Sequence, residues 1–247
     1  LFKIIDRKIY HHKFLHACQI ADHIIAVSQQ TKKDIIDFFS IPANKITVVY
    51  QGCNQAFQSK IKNEDREAVC KKYHLPSNYL LYVGSIEERK NLLTLLKSIK
   101  NTNHQLVIIG EGKQYKKKCL QFIKDNKLSH RTHFLSKLSL TEMSAIYQSA
   151  EIMVYPSIFE GFGIPILEAL FSKTPVITTK GGCFSESGGS HSYYINPLDV
   201  NELTQAIKHI QSDKDLRERM IEKGQQHAQK FTDDKIAQNL MNIYQSL

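Results

Sequence analysis

The chain has 247 residues, of which 42% are hydrophobic and 23% are charged, so it can bury a core like an ordinary globular protein. Its longest apolar runs are far shorter than the roughly 20 residues that cross a bilayer, which argues against a membrane-spanning helix. Its 33 lysines and arginines exceed its 24 aspartates and glutamates, and the resulting charge of +9 favours an anionic partner. No nucleic-acid-binding motif accompanies this charge, so nucleic acid is not an expected partner.

The cysteines indicate a reducing environment. There are five of them, scattered along the chain and without a C-x-x-C pair. This arrangement argues against a disulfide framework or a zinc site and predicts a cytoplasmic protein. The sequence begins with Leu1 rather than methionine and shows no signal-peptide pattern, so we expect it to be a fragment whose N-terminal part is missing.

Short apolar runs alternate with amphipathic segments along the whole chain. Strands are predicted at 23–27, 45–50, 79–84, 105–110, 132–135, 151–155 and 175–179, and helices at 29–38, 90–100, 113–126, 141–149, 165–172, 200–211 and, in pieces, 213–246. Alternating strands and helices predict an α/β fold whose parallel sheet is covered on both faces. Such sheets bind ligands beyond the carboxyl ends of their strands.

A boundary between two strand–helix series is predicted after residue 52. Gly52 favours a turn, and the polar segment 58–67 follows it. Residues 1–52 would then form the last part of one α/β domain, and residues 53–230 a complete second domain.

The segment 157–178 holds two glutamates eight residues apart. Gly161 and Gly163 allow backbone angles that are closed to other residues, and Pro165 suits the first turn of a helix. Glu160 is therefore predicted to lie in a loop after a strand, and Glu168 in the first turn of the following helix.

The chemistry of this segment suits a sugar nucleotide. Free amides at a helix N-terminus can bind a diphosphate, and glycines let it approach the backbone. Carboxylates would repel phosphate, so Glu160 and Glu168 are expected to bind the hydroxyls of a ribose and a hexose. The alternative for Glu168 is an acid that is favoured there only by the helix dipole.

These motifs resemble those of the family-4 retaining glycosyltransferases, which have the GT-B fold. The run "FEGFGIPILEAL" resembles the E-x7-E signature of that family, and "YVGSIEERKNLLTLLKSI" resembles its phosphate loop and following helix. The segments "ADHIIAVSQQTKKDII", "IPANKITVVYQGCN" and "GGCFSESGG" are also similar, so the resemblance covers essentially the whole chain. It implies a Rossmann-like donor domain at 53–230, the tail of an acceptor-side domain at 1–52, and a C-terminal helix at 231–247 that crosses back to it. An ordinary packing helix of the second domain is the alternative for 231–247.

The resemblance also implies roles for individual residues. Glu160 would bind the donor sugar, Glu168 the ribose, and Lys90, with Arg89, would neutralise the leaving diphosphate. The alternative for Lys90 is an exposed lysine in the first turn of a helix. The other residues implied in binding the nucleotide sugar are Gly84, Ser85, Leu138, Gly161, Phe162, Gly163 and Ile164.

Three features depart from the family or from related enzymes. Many family members carry an arginine where Ser85 follows Gly84, and Arg89 is the candidate to supply that charge. The histidines at 11, 12 and 16 do not match the family's histidine and are expected on a helix. The D-x-D pattern at 213–215 lies at a predicted helix start, where Ser212 or Asp213 would be an N-cap, so no metal site is predicted.

The reaction implied is transfer of a hexose from a nucleoside diphosphate sugar to a glycan or lipid-linked acceptor, as in cell-surface polysaccharide biosynthesis. We expect the reaction to retain the anomeric configuration and to need no metal or other cofactor. We also expect the protein to contact the inner face of the membrane peripherally. This chain alone is expected to be inactive, because the cleft needs both domains. The alternatives are a non-catalytic nucleotide-sugar-binding or scaffolding subunit and a nicotinamide-dependent oxidoreductase, for which the G-x-G-x-x-G pattern is missing.

Overall fold

Two parallel sheets organise residues 4–246, the part of the chain that the computed structural model describes. The strands are β1 (Ile24–Ala26), β2 (Ile46–Val48), β3 (Leu80–Val83), β4 (Leu106–Ile109), β5 (Thr132–Leu135), β6 (Ile152–Tyr155), β7 (Val176–Thr179) and β8 (Tyr193–Ile195). Strands β1 and β2 form a small sheet. The other six lie in the order β5-β4-β3-β6-β7-β8, and every neighbouring pair is parallel.

Helices make the connections that parallel pairing requires. They are α1 (Ile4–Ile20), α2 (Gln29–Phe39), α3 (Gln55–Gln58), α4 (Asn63–Lys72), α5 (Leu92–Ile99), α6 (Gln114–Asp125), α7 (Leu140–Ser149), α8 (Ile164–Phe171), α9 (Phe184–Gly188), α10 (Val200–Ser212), α11 (Lys214–Ala228) and α12 (Asp233–Ser246). From β3 to β8, each strand is joined to the next by one of α5 to α9. The chain therefore has the α/β fold that its sequence predicts.

The large sheet is covered on both faces, and this accounts for its continuously apolar strands. In β3, Leu80 and Tyr82 pack on the face that α5 and α10 cover, whereas Leu81 and Val83 pack on the face that α7 and α8 cover. All four side chains are buried, since successive residues of a strand point to opposite faces.

Strand order reverses between β3 and β6. The chain proceeds from β3 outward through β4 to β5, then returns so that β6 pairs with the other side of β3. Loops that leave two adjacent strands in opposite directions open a crevice beyond their carboxyl ends. The loop 84–91 follows β3 and the loop 156–163 follows β6, so the two segments singled out in the sequence meet at this crevice.

All seven predicted strands are confirmed, each within two residues of its expected ends. Strand β8 and helices α3, α4 and α9 are additional elements that the sequence analysis does not predict. Helix α4 has no buried residue, so its sequence lacks the apolar stripe that reveals a helix. The other three elements, α3, α9 and β8, span only three to five residues, which is too short for a clear periodic pattern.

The segment before residue 52 packs directly on the larger part of the chain. The ring of Tyr50 lies 5.5 Å from the rings of both Phe162 and Phe231. Gly52 lies against the start of α12, because a Cβ built at Gly52 would come within 2.9 Å of Asp233 Oδ1. These contacts fix the small sheet beside the crevice.

We predict that Gly110→Ala destabilises the protein by about 1–3 kcal/mol, the usual cost of overpacking. A Cβ at Gly110, just after β4, would lie 2.0 Å from the carbonyl oxygen of Gly84, so the loop after β3 must move. Gly181→Ala is the control, because a Cβ there meets no atom within 4 Å and adds only the strain of a φ of +87°. Urea unfolding measures both variants; an equal or smaller loss for Gly110→Ala would contradict the steric explanation.

Candidate functional site

Three side chains converge on one carboxylate oxygen at the crevice. Glu160 Oε1 lies 2.7 Å from Lys90 Nζ and 2.9 Å from Arg89 Nη1, and it accepts a hydrogen bond of 2.6 Å from Ser157 Oγ. The other oxygen, Oε2, takes part in none of these contacts. The meeting of the loops 84–91 and 156–163 thus brings together Glu160, Arg89 and Lys90.

Lys90 is buried, so the alternative of an exposed first-turn lysine is wrong. Its side chain is 9% exposed, and its ammonium also donates a hydrogen bond to the Tyr155 hydroxyl. Lys90 ends a 3-10 turn before α5 because Asn91 adopts a left-handed φ of 57°. The Asn91 side chain donates to the carbonyls of Pro156 and Pro197, which ties this turn to the loop after β6.

Glu160 and Arg89 keep their charges at neutral pH. Burial raises the pKa of Glu160, but hydrogen bonds from Lys90 and Ser157 and the charges of Lys90 and Arg89 outweigh it, so the pKa lies below its ordinary value. Burial lowers the pKa of Arg89, but the attraction of Glu160 more than compensates, and the net shift is upward. The cluster therefore contains two cations and one anion, which favours a further anionic ligand.

The N-terminus of α8 follows this cluster on the same loop. Gly163 is its N-cap residue, with a φ of 103° that favours glycine, and no side chain caps the helix. Phe162 is buried, and Ile164 begins the helix. Pro165 has no N–H and the Ile166 amide donates to the Gly163 carbonyl at 2.9 Å, so the Ile164 amide is the donor at this helix start that suits an anion.

Glu168 lies in the second turn of α8, not in the first as predicted. The helix begins at Ile164, one residue earlier than the sequence suggests, so Glu168 is its fifth residue. Its Oε2 accepts a hydrogen bond of 2.7 Å from the Tyr147 hydroxyl. Burial raises the pKa of Glu168, and the hydrogen bond from Tyr147 only partly offsets this.

The remaining predicted residues lie around the loop after β3 and the loop after β5. Gly84 lies against the Lys90 side chain, since a Cβ at Gly84 would be 3.6 Å from Lys90 Cδ. The Ser85 carbonyl accepts a hydrogen bond from Tyr82, and Leu138 is partly buried against the core. Arg89 pairs with Glu87 at 3.3 Å and with Glu160 at 2.9 Å, and its replacement of the arginine missing at Ser85 stays a prediction.

The first turn of α2 also belongs to the site, which the sequence analysis does not predict. Ser28 Oγ donates to the Gly161 carbonyl at 2.7 Å. The amides of Gln29 and Gln30 donate to the Glu186 carboxylate at 2.7 and 3.1 Å. The S-x-x-T pattern at 28–31 is a sequence signal for this N-cap, but its partner Gly161 lies 130 or more residues away.

A cavity of about 210 Å³ lies between these elements. It is lined by Gln30, Ile158, Phe159, Glu160, Thr179, Lys180, Gly181, Gly182, Cys183 and Phe184. A larger cavity of about 290 Å³ lies at the opposite edge of the sheet. The polar side chains there pair with one another, as in the 2.7 Å contact of His104 with Gln211, so the chemistry belongs to the smaller cavity.

Metal binding at the D-x-D pattern finds no support in residues 4–246. Asp213 caps α11 by accepting a hydrogen bond of 2.8 Å from the Leu216 amide, so the predicted N-cap is confirmed. No cluster of three or more potential metal ligands occurs among the described residues.

The histidines at 11, 12 and 16 lie on α1, as predicted. Within residues 4–246, no helix is both long and apolar enough to cross a membrane.

Two family models match the chain in succession. A model described as glycosyl transferases group 1 matches residues 65–227, more than half of the chain, and one described as Glycosyltransferase Family 4 matches residues 3–57. The chain belongs to the group 1 glycosyltransferases.

Relatives of this glycosyltransferase include two O-antigen enzymes. The O-antigen chain mannosyltransferase RfbU of Salmonella typhimurium is 32% identical over 191 residues, which are 76% of this chain and 51% of the relative. O-antigen chain mannosyltransferase B of Escherichia coli is 27% identical over 98% of this chain and 65% of its own length. The chain thus spans less than two thirds of these relatives.

Solved structures show the GT-B fold. The glycosyltransferase superposes on sucrose-phosphate synthase from Thermosynechococcus elongatus with a TM-score of 0.86 at 21% identity, covering 97% of this chain and 61% of the other. It also superposes on Anabaena HepE in complex with UDP and glucose, with a TM-score of 0.86 at 20% identity over 100% of this chain and 70% of the other.

We predict that Tyr147→Phe costs more stability at pH 7 than at pH 4. Because burial raises the pKa of Glu168, this carboxyl group becomes protonated as the pH falls. The hydrogen bond that it accepts from the Tyr147 hydroxyl then weakens. A hydrogen bond to a charged group contributes about 1.5–3 kcal/mol and a neutral one about 0.5–1.5 kcal/mol. Urea unfolding at the two pH values measures the difference.

Tyr73→Phe is the matched control for this measurement. The Tyr73 hydroxyl donates to Glu142 Oε1 at 2.7 Å, and hydrogen bonds from Lys72 and Ser139 help to lower the pKa of Glu142 to about 2. Glu142 is ionised at both pH values, so the effect of Tyr73→Phe should not change between them. An equal cost of Tyr147→Phe at pH 4 and pH 7 would contradict the assignment of a buried, titrating Glu168.

Proposed function

We propose that this protein transfers a hexose from a nucleoside diphosphate sugar to a glycan or lipid-linked acceptor, with retention of the anomeric configuration. The observation that carries the proposal is the convergence of Lys90, Arg89 and Glu160 beside the uncapped N-terminus of α8. Two cations and the Ile164 amide suit a diphosphate, and the neighbouring carboxylate suits the hydroxyls of the attached sugar. The names of the O-antigen relatives support polysaccharide biosynthesis and make mannose the first hexose to test.

In this proposal the diphosphate displaces Glu160 from the two cations. Lys90 and Arg89 then neutralise the negative charge that grows on the diphosphate as the glycosidic bond breaks. Glu160 Oε2, which takes part in none of the three contacts in the free protein, accepts hydrogen bonds from the sugar. The departing phosphate takes the acceptor's proton, so no protein base is required.

The ribose is assigned to Glu168 and the base to the backbone near Leu138. Glu168 lies on α8, the helix whose N-terminus is assigned to the diphosphate, and a carboxylate can accept hydrogen bonds from both hydroxyls of a ribose. Its hydrogen bond to Tyr147 uses only Oε2.

The domain assignment is also part of the proposal. We assign residues 1–52 to the acceptor side and residues 53–230 to the donor side, with 231–247 returning towards the first. The contact of Gly52 with Asp233 supports the return of α12. Both parts of the chain line the cavity: Gln30 comes from residues 1–52, and Glu160 and Lys180 come from residues 53–230. An acceptor that enters this cavity would meet the donor sugar at Glu160.

We expect the chain to bind at least one of UDP, GDP and ADP in isothermal titration calorimetry and not to bind NAD. The affinity should fall with added salt, because the binding is dominated by charge. Failure of the folded chain to bind any of the three nucleotides would contradict the proposal.

Lys90→Met and Lys118→Met provide a matched pair for the same titration. Lys118 is an exposed lysine on α6, and it pairs at 2.8 Å with Glu88, a residue of the loop after β3. It lies outside the cluster of Lys90, Arg89 and Glu160. Lys90→Met should lose most of the nucleotide affinity, and Lys118→Met should retain it. Equal losses in the two variants would indicate general attraction by the basic surface and would contradict a specific site.

A further inference from the structure

Tyr155 is a buried residue that contacts Lys90, the cation of the central ion pair. It ends β6, and its side chain is 1% exposed. Its hydroxyl accepts a hydrogen bond from Lys90 Nζ. A neutral group therefore supports Lys90 from the interior side of the site.

The position of the Tyr155 hydroxyl is fixed by the scaffold. The ring of Tyr155 packs edge-on against the ring of Phe184, with centroids 6.4 Å apart. Its backbone carbonyl accepts a hydrogen bond of 3.0 Å from Thr178 Oγ1 on the adjacent strand β7. Burial and the neighbouring Glu160 raise its pKa far above the ordinary value, so the hydroxyl stays neutral and can accept from a lysine.

Lys90 needs such a support when a ligand enters. No side chain of the described residues other than Glu160 and Tyr155 forms a hydrogen bond with its ammonium. Ser157 cannot replace Tyr155, because its hydroxyl reaches Glu160 and backbone carbonyls but not Lys90. Lysine has a flexible stem and three donors, so a fixed acceptor is needed to direct the remaining donors.

We propose that Tyr155 is a positioning residue for the diphosphate. When Glu160 turns to the sugar hydroxyls, the Tyr155 hydroxyl remains bonded to Lys90 and directs its ammonium at the β-phosphate, the group that carries the sugar. This inference rests on the proposed function and adds to it a residue that acts through Lys90 without touching the donor.

The test is Tyr155→Phe, which keeps the ring and its contact with Phe184 and removes only the hydroxyl. Calorimetry with the 247-residue chain compares the nucleoside diphosphate that the wild type binds with the corresponding monophosphate. We expect the diphosphate affinity to fall about tenfold, which corresponds to about 1.4 kcal/mol, and the monophosphate affinity to stay unchanged. A merely structural role would weaken both ligands alike, so an equal loss, or no loss, would overturn the inference.

Tyr79→Phe is the matched control. Tyr79 is also a buried tyrosine, and its hydroxyl donates to the Ile146 carbonyl at 2.6 Å at the opposite end of the neighbouring strand. Its removal should lower the unfolding temperature while leaving both affinities as in the wild type.

A double-mutant cycle with Lys90→Met keeps the inference falsifiable if Tyr155→Phe is less stable than the control. In the Lys90→Met background, Tyr155→Phe should cause no further loss of diphosphate affinity, because the group it positions is absent. Additive losses would contradict the inference. Absence of nucleotide binding by the wild type would instead contradict the proposed function itself, so the two failures are distinguishable.

Discussion

The site depends on one carboxylate oxygen, Glu160 Oε1, which lies within 3 Å of both Lys90 Nζ and Arg89 Nη1. Lys90 can be buried only because this anion and the Tyr155 hydroxyl compensate for the loss of water around its ammonium. Lys90 and Arg89 are thereby held inside the crevice. A diphosphate that replaces the carboxylate meets charges that are already in place, which is how electrostatic preorganisation favours bond cleavage.

The sheet order determines that these groups meet at all. Glu160 and Lys90 are 70 residues apart, yet they leave the carboxyl ends of β6 and β3, which are neighbours in the sheet. The helix α8 starts from the same loop, so its N-terminus follows Glu160 at the carboxyl end of β6. The first turn of α2 closes the site from the other side through Gly161 and Glu186. One reversal of strand order thus collects the ion pair, the helix N-terminus and the cavity.

Much of this arrangement is predictable from sequence because it is local. Buried parallel strands appear as continuous apolar runs, and the glycines and proline of 161–165 indicate a loop that enters a helix. The burial of Lys90 is not predictable in this way, since it depends on Asn91 reaching Pro156 and Pro197 across the fold. The support by Tyr155 and Tyr147 likewise comes from the packing of distant elements. The turn of α8 that holds Glu168 is predicted wrongly because the helix begins one residue earlier than the sequence indicates, and this places Glu168 in the second turn instead of the first.

The most direct test is the affinity of Glu160→Gln for the nucleoside diphosphate, measured by calorimetry. Glutamine keeps the shape of the side chain but removes the negative charge that competes with the diphosphate for Lys90 and Arg89. The account predicts binding roughly tenfold tighter than that of the wild type, or about 1.4 kcal/mol. Glu87→Gln, which removes an exposed partner of Arg89 at 3.3 Å, should leave the affinity nearly unchanged. Weaker or unchanged binding by Glu160→Gln would contradict the displacement of this carboxylate by the donor.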